Sequence, residues 1–102
     1  MNLQCGIRAT DKGGLIQLAP WARASETVRG RYTMSVSKSS SSGSTENRQS
    51  GEAELRAGEE QVLSVAAINA EPGAKLSARL DVQTEFGVCH ADFILPGTPR
   101  SI

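Results

Sequence analysis

An all-β fold, an immunoglobulin-like antiparallel β-sandwich of about seven strands, is predicted by three features of the 102-residue sequence. Apolar and polar residues alternate in short runs, the runs recur about every ten residues, and glycine, proline or serine separates them. Period-2 alternation is the pattern of a strand with one face buried, and helical periodicity is nearly absent.

Each run assigns a strand. Leu3–Ala9 carries Leu3, Cys5, Ile7 and Ala9 on one face, and "TDKGG" then turns the chain. Leu15–Ala24 follows, with Ile16, Leu18 and Trp21 assigned inward; Pro20 inside it marks an edge strand or one that changes sheets. Val28–Lys38 alternates cleanly, Val28, Gly30, Tyr32, Met34 and Val36 against Arg29, Arg31, Thr33, Ser35 and Ser37. The serine run has nothing to bury, so residues 38–46 are expected to form a flexible loop. Arg48–Leu55 resumes the alternation with Ala53 and Leu55 inward and Glu52 and Glu54 outward, and "RAGEE" turns. Val62–Ile68 is nearly continuously apolar, which fits a short helix or a strand covered on both sides; its length and β-branched content favour the strand. After "NAEPGA", Lys75–Thr84 points Leu76, Ala78, Leu80 and Val82 inward. Val88–Leu95 closes the set with Cys89, Ala91 and Phe93 on one face, and residues 96–102 are expected to fray.

The length accommodates a single domain, residues 1–102, and no second one. With a formal net charge of zero, no bulk attraction to nucleic acid or to an anionic membrane is implied. No stretch approaches the ~20 apolar residues that span a bilayer. The start "MNLQCGIRAT" lacks a basic segment followed by an apolar run, which fits either a cytoplasmic protein or a mature form with an added Met1. Cys5 and Cys89 lie near opposite ends with no CxxC, CxxH or histidine cluster, so the pair reads as one disulfide or as two buried thiols. The cysteine–tryptophan–cysteine order of antibody domains is missing, and a small barrel is the alternative architecture for the same strands.

Few residues offer chemistry. His90 is the single histidine, and Asp92 two positions on could partner it, although a surface histidine beside a polar neighbour is the simpler reading. There is no GxSxG elbow and no phosphate-binding GxxxxGK[ST] loop. Glu52, Glu54, Glu59 and Glu60 resemble paired hydrolase carboxylates less than they resemble a solvated edge. Trp21, Tyr32, Phe86 and Phe93 are too few for a base-stacking surface once Tyr32 and Phe93 are given to the core. No enzymatic activity and no cofactor are expected.

Charge patterning offers more. Arg29 and Arg31 lie one side-chain period apart on the outward face of one strand, and Lys75 and Arg79 lie on that of another. A basic patch can form if the acids gather elsewhere, and Glu46, Glu52, Glu54, Glu59 and Glu60 crowd the middle third of the sequence. The competing reading is that these cations only solubilise a sheet and guard its edge.

The segments "CGIRA", "GGLIQLAPWARA", "VRGRYTMSVSKS", "NRQSGEAELRAGEE", "LSVAAI" and "LSARLDV", followed by a final cysteine-bearing strand, resemble in this order the CsgH branch of the CsgC-like curli proteins. The resemblance covers almost the whole chain. It implies a small periplasmic immunoglobulin-like domain, a monomer, that keeps the major curli subunit from nucleating amyloid without ATP and without a reaction. The CxC pair of some CsgC-type relatives is absent, so no redox role carries over. Cys5 and Cys89 are left with a structural role as a disulfide, which suits an oxidising periplasm. Joined to the charge pattern, the resemblance makes Arg29, Arg31, Lys75 and Arg79 the expected client-binding patch, holding an unfolded subunit by transient electrostatic contact. The alternative is an adhesive or assembly module that binds a folded partner in a surface or secretion complex.

Overall fold

A computed structural model describes residues 2–41, 43–69 and 73–95. Its strands are β1 (Leu3–Lys12), β2 (Leu15–Ala24), β3 (Val28–Ser40), β4 (Gly43–Leu55), β5 (Gln61–Val62), β6 (Ala66–Asn69), β7 (Lys75–Thr84) and β8 (Gly87–Leu95). One sheet is ordered β1-β2-β5, with β6 also on β2; the other is β4-β3-β7-β8, and every pairing is antiparallel. The two sheets pack face to face as the predicted sandwich. The fraying expected over residues 96–102 lies outside the described residues, as does half of the turn expected at 69–74.

The core is made by the inward half of each alternating strand. Ile16, Leu18, Ala22 and Ala24 of β2 meet Val28, Met34 and Val36 of β3 and Leu76, Ala78, Leu80 and Val82 of β7. Leu18, Met34 and Leu80 are fully buried, and burying a side chain of that size contributes about 1.5–3 kcal/mol. No charged or polar residue is buried among the described residues. Burial of apolar area therefore holds the sandwich together with little polar specification of the layer.

Expectations for three stretches of chain are corrected. Trp21 points outward, because β2 keeps its alternation through Pro20 and buries Pro20, Ala22 and Ala24 instead. Pro20 interrupts nothing: β2 is the central strand of its sheet, paired with β1 along its whole length. The Pro20 carbonyl accepts from Leu63 N at 2.8 Å, on the side away from β1. Nitrogen and oxygen of one strand residue face the same side, so the missing N–H falls in the gap between β5 and β6 and costs no ladder bond to β1. That gap is the second correction. The Val62–Ile68 run is not one strand covered on both faces but two short pieces at a sheet border, with Val62 and Val65 about half exposed.

The third correction concerns the serine run. The segment expected to be a loop over 38–46 continues the ladder: Lys38 pairs with Thr45, Ser39 with Ser44 and Ser40 with Gly43, leaving residues 41–42 between the strands. Nothing apolar is needed for this, since an antiparallel register set by the buried half of β3 carries the pairing outward residue by residue. On the inner side of this hairpin end, Lys38 Nζ donates to Asn69 O at 2.6 Å and ties it to the other sheet. At the β1–β2 turn, Gly13 and Gly14 both have positive φ (65° and 91°), the requirement of a two-residue hairpin that matches strand twist.

The sheets are closed along one side by the Cys5–Cys89 disulfide, which joins β1 to β8 with the α-carbons 6.2 Å apart. On the outer face of the β1–β2 sheet, the Trp21 ring lies over Gly6: a β-carbon there would sit 2.8 Å from ring atoms. Arg8 stacks 5.2 Å from the ring centroid and is held by both carboxylate oxygens of Glu60. The Arg8 hydrogen bond keeps the Glu60 carboxyl below the usual carboxylate range and raises the Arg8 guanidinium further.

Two measurements check this packing. Replacing both cysteines by alanine opens a link spanning 84 residues in sequence and should lower unfolding free energy by about 4 kcal/mol; chemical denaturation shows it, and a loss under about 1 kcal/mol contradicts the role given to the bridge. Gly6→Ala should cost about 1–3 kcal/mol by displacing the indole and shift the emission of this single tryptophan, whereas unchanged stability and emission would mean the ring is free to move.

Candidate functional site: the outer face of the β4-β3-β7-β8 sheet

Burying Val28, Met34 and Val36 obliges the residues between them to face solvent, which places Arg29, Arg31, Thr33, Ser35 and Ser37 on the outer face of β3. The same rule puts Lys75 and Arg79 on the outer face of β7. All four expected patch residues therefore share one sheet face. They do not form one cluster: Arg29 lies near one end, and Lys75, opposite Ser39, at the other, a separation of about 34 Å along the strands.

Nor do the acids lie apart. In the β3–β4 register Arg29 is opposite Glu54 and Arg31 opposite Glu52, while Arg48 is opposite Ser35 and Glu46 opposite Ser37. Arg79 pairs across β7–β8 with Asp92, and Asp81 with His90. Outward on the four strands stand Arg29, Arg31, Arg48, Lys75 and Arg79 against Glu46, Glu52, Glu54, Asp81 and Asp92, five cations and five acids. The sequence grouped the glutamates in its middle third because β4 is there, and the hairpin folds β4 directly beside the arginines.

Individual contacts are loose and wet. Arg31 Nη2 donates to Glu52 Oε2 at 3.2 Å, with the two side chains 69% and 58% exposed. Arg79 Nε lies 3.8 Å from Asp81 Oδ1. His90 Nδ1 contacts that same Asp81 oxygen, so its partner is the residue across the strand pair and not Asp92, two positions along its own strand. Arg29 and Lys75 form no ion pair with another described residue. Exposed pairs of this kind contribute little, so each can be exchanged for a charge on a visiting chain. A shallow depression of about 360 Å³ lies between Arg29, Arg31, Glu52, Gln83 and Glu85. Phe86, 63% exposed at the β7–β8 turn, follows the lining residue Glu85 in the chain, and Val88 is in register with Gln83; neither was singled out from the sequence for this face. Among the described residues no group of three or more His, Cys, Asp or Glu side chains could hold a metal ion.

Fold and face together define an immunoglobulin-like β-sandwich of the CsgC-like type, with an outer sheet face of interleaved, exposed charges. The chain belongs to the CsgH family, whose profile, described as CsgH protein, matches residues 4–92. The solution structure of R. palustris CsgH is similar at 22% identity and a TM-score of 0.75, covering 94% of this chain and 93% of that one. The E. coli curli protein CsgC in its SeCys form is similar at 18% identity and a TM-score of 0.77, covering 93% and 99%. No curated protein matches. Membership implies a curli-related role, and the disulfide is consistent with a location outside the cytoplasm.

A double-mutant cycle on Arg31→Ala and Glu52→Ala tests how exchangeable the pair is. The coupling should be below about 1 kcal/mol and fall with added salt; a larger, salt-insensitive value would make Arg31 a fixed structural residue.

Proposed function

We propose that this chain is a periplasmic chaperone-like inhibitor that delays amyloid nucleation by the major curli subunit, holding the unfolded subunit in brief contact without chemistry. CsgH membership supports the curli client, and the disulfide supports the periplasm. The observation that carries the mechanism is Arg31, fixed on a central strand yet paired only with an exposed glutamate, next to Arg29 on the same face. The strand fixes the spacing of the two arginines at the backbone while their exposed side chains stay mobile, so a client carboxylate or backbone carbonyl can replace Glu52 as acceptor, and the rotamer entropy lost in each contact keeps it weak. Loose pairs exchange quickly and hold weakly, which suits repeated contact with early, fibre-forming species.

The face is balanced in charge, so attraction acts over the spacing of neighbouring side chains and not as a long-range field. Lys75 and Arg79 extend the contact along β7 as separate points. Arg29→Glu combined with Arg31→Glu sets four carboxylates opposite one another and should lower the melting temperature modestly, yet it should keep the β-sheet spectrum while shortening the delay that the protein imposes on curli subunit polymerisation. Lag times equal to those with the unaltered protein would overturn the role of these arginines. The delay is expected at ratios well below one protein per subunit; a stable stoichiometric complex with a folded partner, and no delay, would mark an assembly module instead.

A further inference from the structure

Four borders end the two sheets, and three are blunted. The border formed by β5 and β6 is cut into pieces of two and four residues. The borders β1 and β8 lie together and are joined by the Cys5–Cys89 bridge. β4 differs. It runs unbroken for 13 residues, pairs with β3 on one side, and has no strand on its other side among the described residues. It contains no proline, and its register with β3 has no bulge. Shortening, covering, proline and bulges close sheet edges, and among the described residues β4 uses none of these; its only guard is the charge of Glu46, Arg48, Glu52 and Glu54, which discourages an apolar strand but not a polar one.

The direction of its backbone groups follows from the hairpin. A two-residue connection makes the closing pair, Ser40 and Gly43, a hydrogen-bonded one. Alternation then makes Lys38–Thr45, Val36–Asn47, Met34–Gln49 and Tyr32–Gly51 hydrogen-bonded pairs as well. Glu46, Arg48, Ser50, Glu52 and Glu54 fall on the other parity, so their N–H and C=O groups point away from β3 into solvent. The β7–β8 hairpin gives an independent check: its closing pair, Thr84 and Gly87, fixes the opposite parity on β7 toward β3, as a continuous sheet requires.

We propose that this open border of β4 is the docking edge for an extended segment of the unfolded client, which adds to the sheet as a further strand through main-chain hydrogen bonds. The inference rests on the chaperone reading above and assigns it a second, neighbouring contact. The side chains along the border decide what kind of segment fits. Glu46, Glu52 and Glu54 ask for donors and Arg48 for an acceptor, with Ser50 between. A side-chain amide supplies a donor and an acceptor at once, and a hydroxyl does the same. The occupant is therefore a strand bearing amide and hydroxyl side chains on its outward face, since an apolar strand would set no donor or acceptor beside these solvated charges. Polar ladders of this composition are also what stack in amyloid. A strand seated on β4 lies about 10 Å from the β3 backbone, within the reach of the Arg29 and Arg31 side chains.

Hydrogen exchange of the unaltered protein, alone and with excess monomeric curli subunit, tests the edge directly. The amides of Glu46, Arg48, Ser50 and Glu52 should exchange rapidly in the free protein and severalfold more slowly with the subunit. Ser50→Pro removes one outward donor that the fold does not use, and Gln49 before it is already extended. This variant should fold and lose most of the fibre delay, while Ser50→Ala keeps it. Unslowed amides during an undiminished delay would overturn the docking edge yet leave the arginine reading standing, as would a Ser50→Pro variant that delays fibres fully. If the same amides slow with rising protein concentration and no subunit, the occupant is a second copy of this chain and the proposal is wrong. Absence of any delay by the unaltered protein removes the chaperone reading and this proposal with it. Should Ser50→Pro fail to fold, the exchange measurement decides alone.

Discussion

The register of β3 between β4 and β7 is the constraint on which the rest of this sandwich depends. Val28, Met34 and Val36 bury themselves against the other sheet, and a strand cannot turn one residue inward without turning its neighbour outward. That single choice fixes Arg29 and Arg31 on the solvent face, sets Glu52 and Glu54 beside them, and aims alternate backbone groups of β4 away from the sheet. A slip of one residue would exchange the core and the surface of β3 together. The apolar half of the strand thus specifies the polar half, although no polar contact on that face is strong enough to specify anything.

Closure of the two sheets is unequal at their two sides. The β1–β8 side is joined covalently and packed with Leu3, Ile7, Ala91 and Phe93 against the core. The opposite side is held by smaller contacts, a Ser64–Gln49 hydrogen bond of 3.0 Å and the 2.8 Å bond from Gly58 N to Ala24 O. A small all-β domain with mostly long-range pairing benefits from one covalent tie between its ends, since that tie restricts the unfolded chain most when it spans most of it. With one side locked, the other keeps a long strand border and a sheet face free for a visiting chain.

The charge distribution argues for short-range recognition. A domain of zero net charge whose outer sheet carries as many acids as cations has no extended potential to draw in a partner. What it has is a set of exposed, weakly bonded groups at the two-residue spacing of a strand, the spacing at which an extended polypeptide presents its own side chains. Weak individual contacts at a matching repeat favour a brief, sequence-tolerant grip over a tight complex.

Alternation in Val28–Val36 and Leu76–Val82 sufficed to read the strands, their inward faces and the all-β class from sequence, because period-2 burial is a local property of the chain. The outward placement of Arg29, Arg31, Lys75 and Arg79 was legible for the same reason. Pairing was not. That Glu52 and Glu54 neutralise the arginines, that Asp81 and not Asp92 meets His90, and that Ser39 joins a ladder each depend on which strand lies beside which; the Cys5–Cys89 disulfide, expected from the family resemblance, is the one such pairing that was foreseen. Trp21 went astray because proline is a local sign of interruption, whereas the gap between β5 and β6 that accommodates Pro20 exists only once a third stretch of chain has folded against β2. Sequence by itself determined what each strand shows to water and to the core. Only the tertiary structure decided what each exposed group has for a neighbour, since cross-strand neighbours are brought together by loop lengths and sheet order that local alternation does not encode.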